Sequence, residues 1–187
     1  MASEDLLTID PASVLLYGPK KLLIDKYVWH SPGVGIIGAY EAKEKDTEDH
    51  YDVFRGVDMI EAFAQATIVS MGIYLERNKG KYTDEELREM FLPLFISVGQ
   101  VNFRNYIKKG ETFISMGHIT FYKFRQMSCD GRIYRVPEGL DLVKYFANYT
   151  DEQLLNYDLS EDFTLVAELS GITGRAMKKE TLKDFIR

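Results

Sequence analysis

From Val57 to Leu75 the chain runs nineteen residues with no proline and a single glycine, Gly72, so the segment reads as one helix. Its apolar residues go nearly all the way round, which marks a helix buried on most sides. A cylinder of that kind forces the rest of the fold to wrap it, or a partner to cover what the chain leaves bare. Set into it are Asp58, Glu61 and Gln65, at spacings of three and four. Those spacings line them up along one stripe of the helix.

The flanking segments read mainly as strands. Lys21 to Trp29 and Val34 to Ala42 form a predicted hairpin about the turn His30-Ser31-Pro32-Gly33. Lys43 to Asp49 is densely charged and reads as a solvated connection, and Asn78-Lys79-Gly80 stops the long helix. Thr83 and Glu86 fit a capping box, which opens a short helix through Met90 that Pro93 ends. Leu94–Phe103, Glu111–Gln126 and Arg132–Val136 are rich in β-branched and aromatic residues and read as antiparallel strands. Lys108-Lys109-Gly110 and Cys129-Asp130-Gly131 are the turns expected between them. A second capping box, Thr150 with Gln153, opens a helix to about Tyr157. Phe163–Leu169 reads as a last strand, Gly171 and Gly174 suggest a turn or bulge, and a basic tail follows. One helix on one face of an antiparallel sheet is an α+β arrangement.

Composition narrows the function. A chain of 187 residues is expected to form one domain with a sizeable core. Its net charge of −6 argues against a general nucleic-acid binder, which needs a basic surface. The lone Cys129 excludes an internal disulfide and a cysteine-built zinc site. No signal-peptide core and no run of roughly 18 apolar residues is present, so a cytoplasmic protein without a membrane span is expected.

The helix motif resembles that of the hot-dog fold 3-hydroxyacyl-[acyl-carrier-protein] dehydratases, whose signature reads H-F-P-G-x-P-x-x-P-G-V-x-x-x-E-A-x-A-Q. Here His50-Tyr51 is followed by Gly56-Val57, Glu61-Ala62 and Ala64-Gln65, matching every fixed position from Gly56 onward. Leu22-Leu23-Ile24-Asp25-Lys26 is similar to the family's apolar-Asp-basic strand. Val101–Asn105 with Lys108–Glu111 is similar to its R-F-x-x-x-V-x-P-G-D strand and turn. The loop between histidine and glutamate is shorter, eleven positions against fourteen, with Arg55 where the family has proline.

The resemblance implies a single hot-dog domain over 1–187, an antiparallel β-sheet wrapped around one long central helix, with a helical insertion at about 137–160. It also implies a homodimer, possibly a higher oligomer, in which histidine and acid come from different subunits. The implied reaction dehydrates a 3-hydroxyacyl thioester to the trans-2-enoyl thioester in fatty-acid or polyketide-type metabolism. The substrate's phosphopantetheine arm would come on an acyl carrier protein or on coenzyme A, and no metal or other cofactor is implied.

In that reading His50 is the base and Glu61 the acid. Burial favours the protonated carboxyl that a general acid needs, and a histidine can serve as base near neutral pH. Gly56, at the helix start with Val57, would offer backbone N–H groups to the thioester carbonyl. Gln65 would fix the Glu61 rotamer, and Tyr51 and Phe54 would line or lid the acyl site. Blander readings stand beside these: Glu61 and Asp58 as carboxylates near a helix N-terminus, His50 as an exposed loop residue, the two aromatics as packing. His30 and His118 are rival histidines with structural roles as the simpler reading. Arg104, Lys108, Lys109, Lys123 and Arg125 could receive an acidic carrier protein or a cofactor phosphate, or be solvated charges. Alternatives in function are a hot-dog acyl thioesterase using Glu61 without His50, and a non-catalytic acyl-binding or scaffold protein.

Overall fold

The central helix can lie against the sheet because the sheet offers it glycines. A Cβ on Gly117 would come within 2.5 Å of Thr67 Cγ2, one on Gly38 within 2.8 Å of Ala66 Cβ, and one on Gly174 within 2.9 Å of Ile68 Cγ2. On Gly131 it would meet the Phe63 ring at 2.4 Å. The computed structural model describes residues 6–15 and 17–182, without the Asp84 side chain; the end of the basic tail, residues 183–187, lies outside the described residues.

In chain order the elements are α1 (Pro11–Val14), β1 (Lys26–Ser31), β2 (Gly35–Glu41), α2 (Glu44–Thr47), α3 (Gly56–Ala64), a π-helical segment (Gln65–Val69) and α4 (Ser70–Asn78). Then follow α5 (Asp84–Met90), β3 (Phe91–Ser97), β4 (Gln100–Phe103), β5 (Thr112–Lys123), β6 (Gln126–Arg135), α6 (Leu142–Phe146), α7 (Asp151–Asn156), β7 (Thr164–Lys178) and α8 (Lys179–Leu182). The strands form one antiparallel sheet in the order β1-β2-β5-β6-β7-β3, with β4 also pairing β7.

The helix is continuous in direction but changes pitch midway. Over Gln65–Val69 the backbone is π-helical, the kind of local widening often found at functional sites. Polar side chains absorb the irregular carbonyls: Ser70 Oγ donates to the Gln65 carbonyl at 2.7 Å, and Thr67 Oγ1 to the Phe63 carbonyl at 2.7 Å. Phe63, Ala66 and Met71 are fully buried against the sheet's inner face; burying a side chain the size of Phe63 contributes roughly 1.5–3 kcal/mol.

A second, smaller core lies on the outer face of the sheet. There Leu142 and Phe146 of α6, Leu154 of α7 and Phe163 pack on Trp29, Ile37 and Met116. Trp29 Nε1 donates to the Tyr149 carbonyl at 2.7 Å, which ties that layer down. Both predicted capping boxes form, at Thr83 with Glu86 and at Thr150 with Gln153.

Several boundaries differ from the sequence expectation, each for a visible reason. The first strand starts at Lys26, because Lys21 and Leu23 direct their backbone groups to the Gln65 side chain instead of a ladder. The charged Lys43–Asp49 stretch contains α2, whose start is held by Asp46 accepting from the Lys43 N–H at 3.1 Å and from the Tyr40 hydroxyl at 2.7 Å. Pro93 does not end a helix; α5 stops at Met90 and Pro93 sits inside β3, an edge strand, where a missing N–H is tolerated.

Cys129-Asp130-Gly131 is not a turn. It lies inside β6, opposite Ile119, His118 and Gly117, and the hairpin reverses at Phe124-Arg125. Gly131 is needed for close approach, and the Asp130 carboxylate accepts the Gly171 N–H at 2.7 Å where β7 bulges. The last strand therefore runs through Gly171 (φ 64) and Gly174 to Lys178. Cys129 is fully buried, and burial pushes its thiol up to about 12. Among the described residues no helix is long and apolar enough to cross a membrane.

Candidate active site

Glu61 and Gln65 stand one turn apart on the inner helix, and the rest of the site is built around their contact. Gln65 is wholly buried. Its Oε1 accepts the Leu23 N–H at 2.8 Å, and its Nε2 donates to the Lys21 carbonyl at 2.8 Å and to Glu61 Oε1 at 2.9 Å. The backbone of 21–23 thus fixes which end of the amide faces the carboxyl. Tyr17 approaches Glu61 from the N-terminal segment, and the two line the same groove. Burial first, and the Glu61 charge second, push the Tyr17 phenol well above its ordinary value. Nothing in the sequence flags Tyr17, which lies forty-four residues away between the breaks at Pro11 and Gly18.

Glu61 and Tyr17 head an apolar groove of about 240 Å³ whose walls include Ala64, Ile68, Pro93, Leu94 and Phe95. Leu94 and Phe95 belong to β3, so the groove runs along the edge of the sheet.

The helix entrance is built differently. Arg55 is extended, and its carbonyl accepts from the N–H groups of Asp58 at 3.0 Å and Met59 at 3.1 Å. Its guanidinium grips the Asp58 carboxylate through two bonds of 2.6 and 3.0 Å. Asp58 is thereby committed to an ion pair at the helix start. Gly56 and Val57 supply the first N–H groups of the helix, for which no carbonyl lies one turn back. The Phe103 ring rests on Gly56, so close that a Cβ there would meet Cζ at 2.9 Å. The Val57 side chain is exposed.

His50 lies in the loop before that entrance. Its Nδ1 is 2.9 Å from the Val53 carbonyl oxygen. A carbonyl only accepts, so Nδ1 donates in this bond and Nε2 is the nitrogen left outside it. The ring is exposed. Tyr51 and Asp52 beside it are in the left-handed region at φ 53 and 58, a conformation costing of order 1–3 kcal/mol per residue that neighbours must hold. They do: the Lys109 N–H donates to the Asp52 carbonyl at 2.8 Å and the Phe54 N–H to the Ile107 carbonyl at 2.9 Å. Tyr51 stands 98% exposed, whereas Phe54 is buried with its ring 5.3 Å from Phe113.

Among the described residues His50 bonds only within its own loop and does not line the groove that holds Glu61, whereas the structure brings Glu61, Gln65 and Tyr17 together. His30 packs edge-on against Tyr74 at 4.5 Å. His118 faces the outer layer, 3.2 Å from the Tyr157 hydroxyl, and burial pulls its imidazole below the usual value against the pull of Asp130. Of the basic residues, Arg104 pairs with Glu168 at 2.9 Å and Lys109 with Glu44 at 2.8 Å and Asp52 at 3.0 Å. Arg125 turns instead into a cavity beside α4.

A single antiparallel sheet wrapped around one long helix is the hot-dog fold, and this chain has it. A chain of the dehydratase heterocomplex ApeI:P from Xenorhabdus doucetiae matches it with a TM-score of 0.65 over 96% of this chain and 98% of its own, at 11% identity. An acyl-CoA hydrolase variant from Staphylococcus aureus gives 0.45 at 16% identity, over 78% of this chain and 68% of its own. A 1,4-dihydroxy-2-naphthoyl-CoA thioesterase from Synechocystis gives 0.46 at 10% identity, over 78% and 83%. The fold assignment stands on the first of these. No family model matches the chain, and no curated protein matches it in sequence.

Proposed function

We propose that this protein is a hot-dog dehydratase that converts a 3-hydroxyacyl thioester, carried on an acyl carrier protein or coenzyme A, to the trans-2-enoyl thioester. The observation that carries the reading is Glu61, oriented by Gln65 and lining an apolar groove together with Tyr17. With Oε1 engaged by Gln65, Oε2 is the oxygen that acts on the substrate. In the reaction a base takes a proton from C2, the electron pair forms the C2–C3 double bond, and the 3-hydroxyl leaves as water with the Glu61 proton. The proton on the base returns to Glu61 through solvent. Gly56 and Val57 N–H groups hold the thioester oxygen as charge builds on it. Acid and base suffice for this chemistry, so no metal or redox cofactor is invoked.

His50 acts as the base from a second copy of the chain, in keeping with the family resemblance. Supporting this, β3 is a sheet edge with no further strand on it among the described residues, and its Leu94, Phe95 and Ile96 are 37–53% exposed, as is Val98 just beyond it. Such an edge invites a partner strand, and the groove lies along it. The working unit is then a homodimer, each subunit a single hot-dog domain with α6 and α7 inserted on the outer face, acting in the cytoplasm.

The test is incubation with 3-hydroxyacyl and 2-enoyl thioesters, followed by mass spectrometry. Loss or gain of water, abolished by Glu61→Gln and by His50→Ala, is expected. Mixing the two variants should restore part of the activity, since a mixed dimer holds one intact composite site. Release of free acid that survives His50→Ala would assign a thioesterase instead. Ligand binding without turnover would leave an acyl-binding protein.

A further inference from the structure

The groove headed by Glu61 does not end in hydrocarbon. At Ile68, Val69, Pro93 and Gly174 it meets a second cavity of about 60 Å³, which shares those four residues with it. The walls there are apolar, Gly72, Ile73, Phe91 and Met127 among them, but Glu76, Arg88, Tyr122 and Arg125 close the space. From Glu61 to Glu76 is fifteen residues, or roughly 22 Å at the ordinary helical rise, a run suited to an extended chain.

The charges at that end do not balance. Glu76 is the one acid lining the cavity among the described residues, and it is already engaged: Lys79 Nζ donates to Oε1 at 2.5 Å and the Tyr122 hydroxyl donates to the same oxygen. Three arginines remain on its walls, Arg88, Arg125 and the exposed Arg175. Arg88 and Arg125 each have Nε shut from solvent with no hydrogen-bond partner among the described residues. An unmet buried donor costs on the order of 1–3 kcal/mol, more when it is charged. The Phe91 ring, 4.8 Å from the Arg125 guanidinium, returns only part of that. The backbone is strained at the same place. Phe124 and Arg125 form the β5–β6 reversal at φ 53 and 60, where asparagine or glycine is usual. Strain and orphaned donors together mark a place kept for a ligand.

We propose that Arg88 and Arg125 receive a carboxylate at the far end of the acyl chain, so that the substrate is an ω-carboxyacyl thioester rather than a methyl-ended one. This rests on the reading of the Glu61 groove as an acyl site. A planar guanidinium pair fits a carboxylate, and the apolar run between Glu61 and the arginines separates the thioester from the terminal acid by a hydrocarbon spacer. An acyl chain too short to cross Ile68 and Val69 gains nothing from its terminal charge.

The experiment measures binding, not turnover. Non-hydrolysable thioether analogues of acyl-pantetheine, saturated and without a 3-hydroxyl, are titrated calorimetrically in matched pairs that end in methyl or carboxylate, over a series of lengths. Beyond a threshold length the carboxylate-ended member should bind at least tenfold tighter. Arg88→Gln and Arg125→Gln should each erase most of that preference while leaving the methyl-ended affinity and the melting temperature near wild type. Equal binding of the two members, or a preference that survives both substitutions, overturns the proposal while the acyl site stands. Failure of every analogue to bind removes the acyl groove and the proposal with it. Should either glutamine variant melt early, Arg88→Lys and Arg125→Lys replace it, with partial retention of the preference expected and full loss of methyl-ended binding counting against the proposal.

Discussion

Gln65 gives one amide hydrogen to Glu61 at 2.9 Å and the other to the Lys21 carbonyl at 2.8 Å, so the acid is positioned by the backbone of a segment forty residues earlier in the chain. Gln65→Leu removes the acceptor of the buried Leu23 N–H and the donor to Glu61 together. Stability should fall by about 2–4 kcal/mol, as orphaned buried groups cost of order 1–3 kcal/mol each. Urea denaturation measures that loss. In a turnover assay kcat should fall more than KM rises, because Gln65 acts through Glu61 and not on the substrate's tail.

The glycine-faced sheet makes two alanine substitutions opposite in sign. Gly117→Ala forces Thr67 and Phe63 away and should lose about 1–3 kcal/mol, the usual range for overpacking. At Gly72, inside α4, a Cβ meets nothing within 4 Å. Gly72→Ala should therefore gain about 0.5–1 kcal/mol from helix propensity. Paired thermal melts would show both shifts.

Glu76 predicts an acid-sensitive contribution. Burial acts to raise its carboxyl pKa, but the hydrogen bonds from Lys79 and Tyr122 outweigh it and hold the group below its ordinary 4.5. A depressed folded-state value stabilises the protein above 4.5, and the contribution disappears as pH falls through the folded value. Tyr122→Phe should thus be less stable than wild type by about 1–2 kcal/mol at neutral pH, for one hydrogen bond to a charged group. The gap should close as the pH drops below 4.5. Chemical denaturation at a series of pH values reads it directly.

The bare edge of the sheet can be blocked without touching the groove. Ile96 sits at the irregularity between Phe95 and Ser97, 53% exposed and absent from the groove walls. Ile96→Lys should convert the proposed dimer to a monomer in light scattering and leave the circular dichroism of the fold unchanged, as a lysine on an edge strand blocks strand addition.

Relief of the strained reversal is a prediction about stability alone. Phe124 is 74% exposed at φ 53. Phe124→Gly should raise stability by about 1 kcal/mol, the low end of the cost of a left-handed non-glycine residue, detectable as a higher melting temperature.

Much of the fold was legible in the sequence. The all-round apolar helix announced a sheet wrapped around it, and the capping boxes at Thr83 and Thr150 formed as written. Glycine was the main source of misreading. Asp130-Gly131 has the composition of a hairpin turn, but Gly131 is there to admit the Phe63 ring, and the turn fell to Phe124-Arg125, which carry no turn signature. The partners of the acid were only half visible. The spacing of Glu61 and Gln65 puts them one turn apart, whereas Tyr17 and the Lys21–Leu23 backbone reach them through tertiary folding that no local pattern encodes. The same is true of Arg88 and Arg125, ordinary surface charges in the sequence that converge on one cavity from a helix and a hairpin.

Cys129 turns the middle of the sheet into a stopwatch. Its sulfur is sealed in β6, and burial pushes the thiol up to about 12, so at neutral pH it presents almost no thiolate to an alkylating reagent. Labelling must wait until the strands around it part. With one cysteine in the chain, every labelled molecule records one opening of the same place, and the speed of labelling under native conditions gives the frequency at which the protein comes apart at its centre.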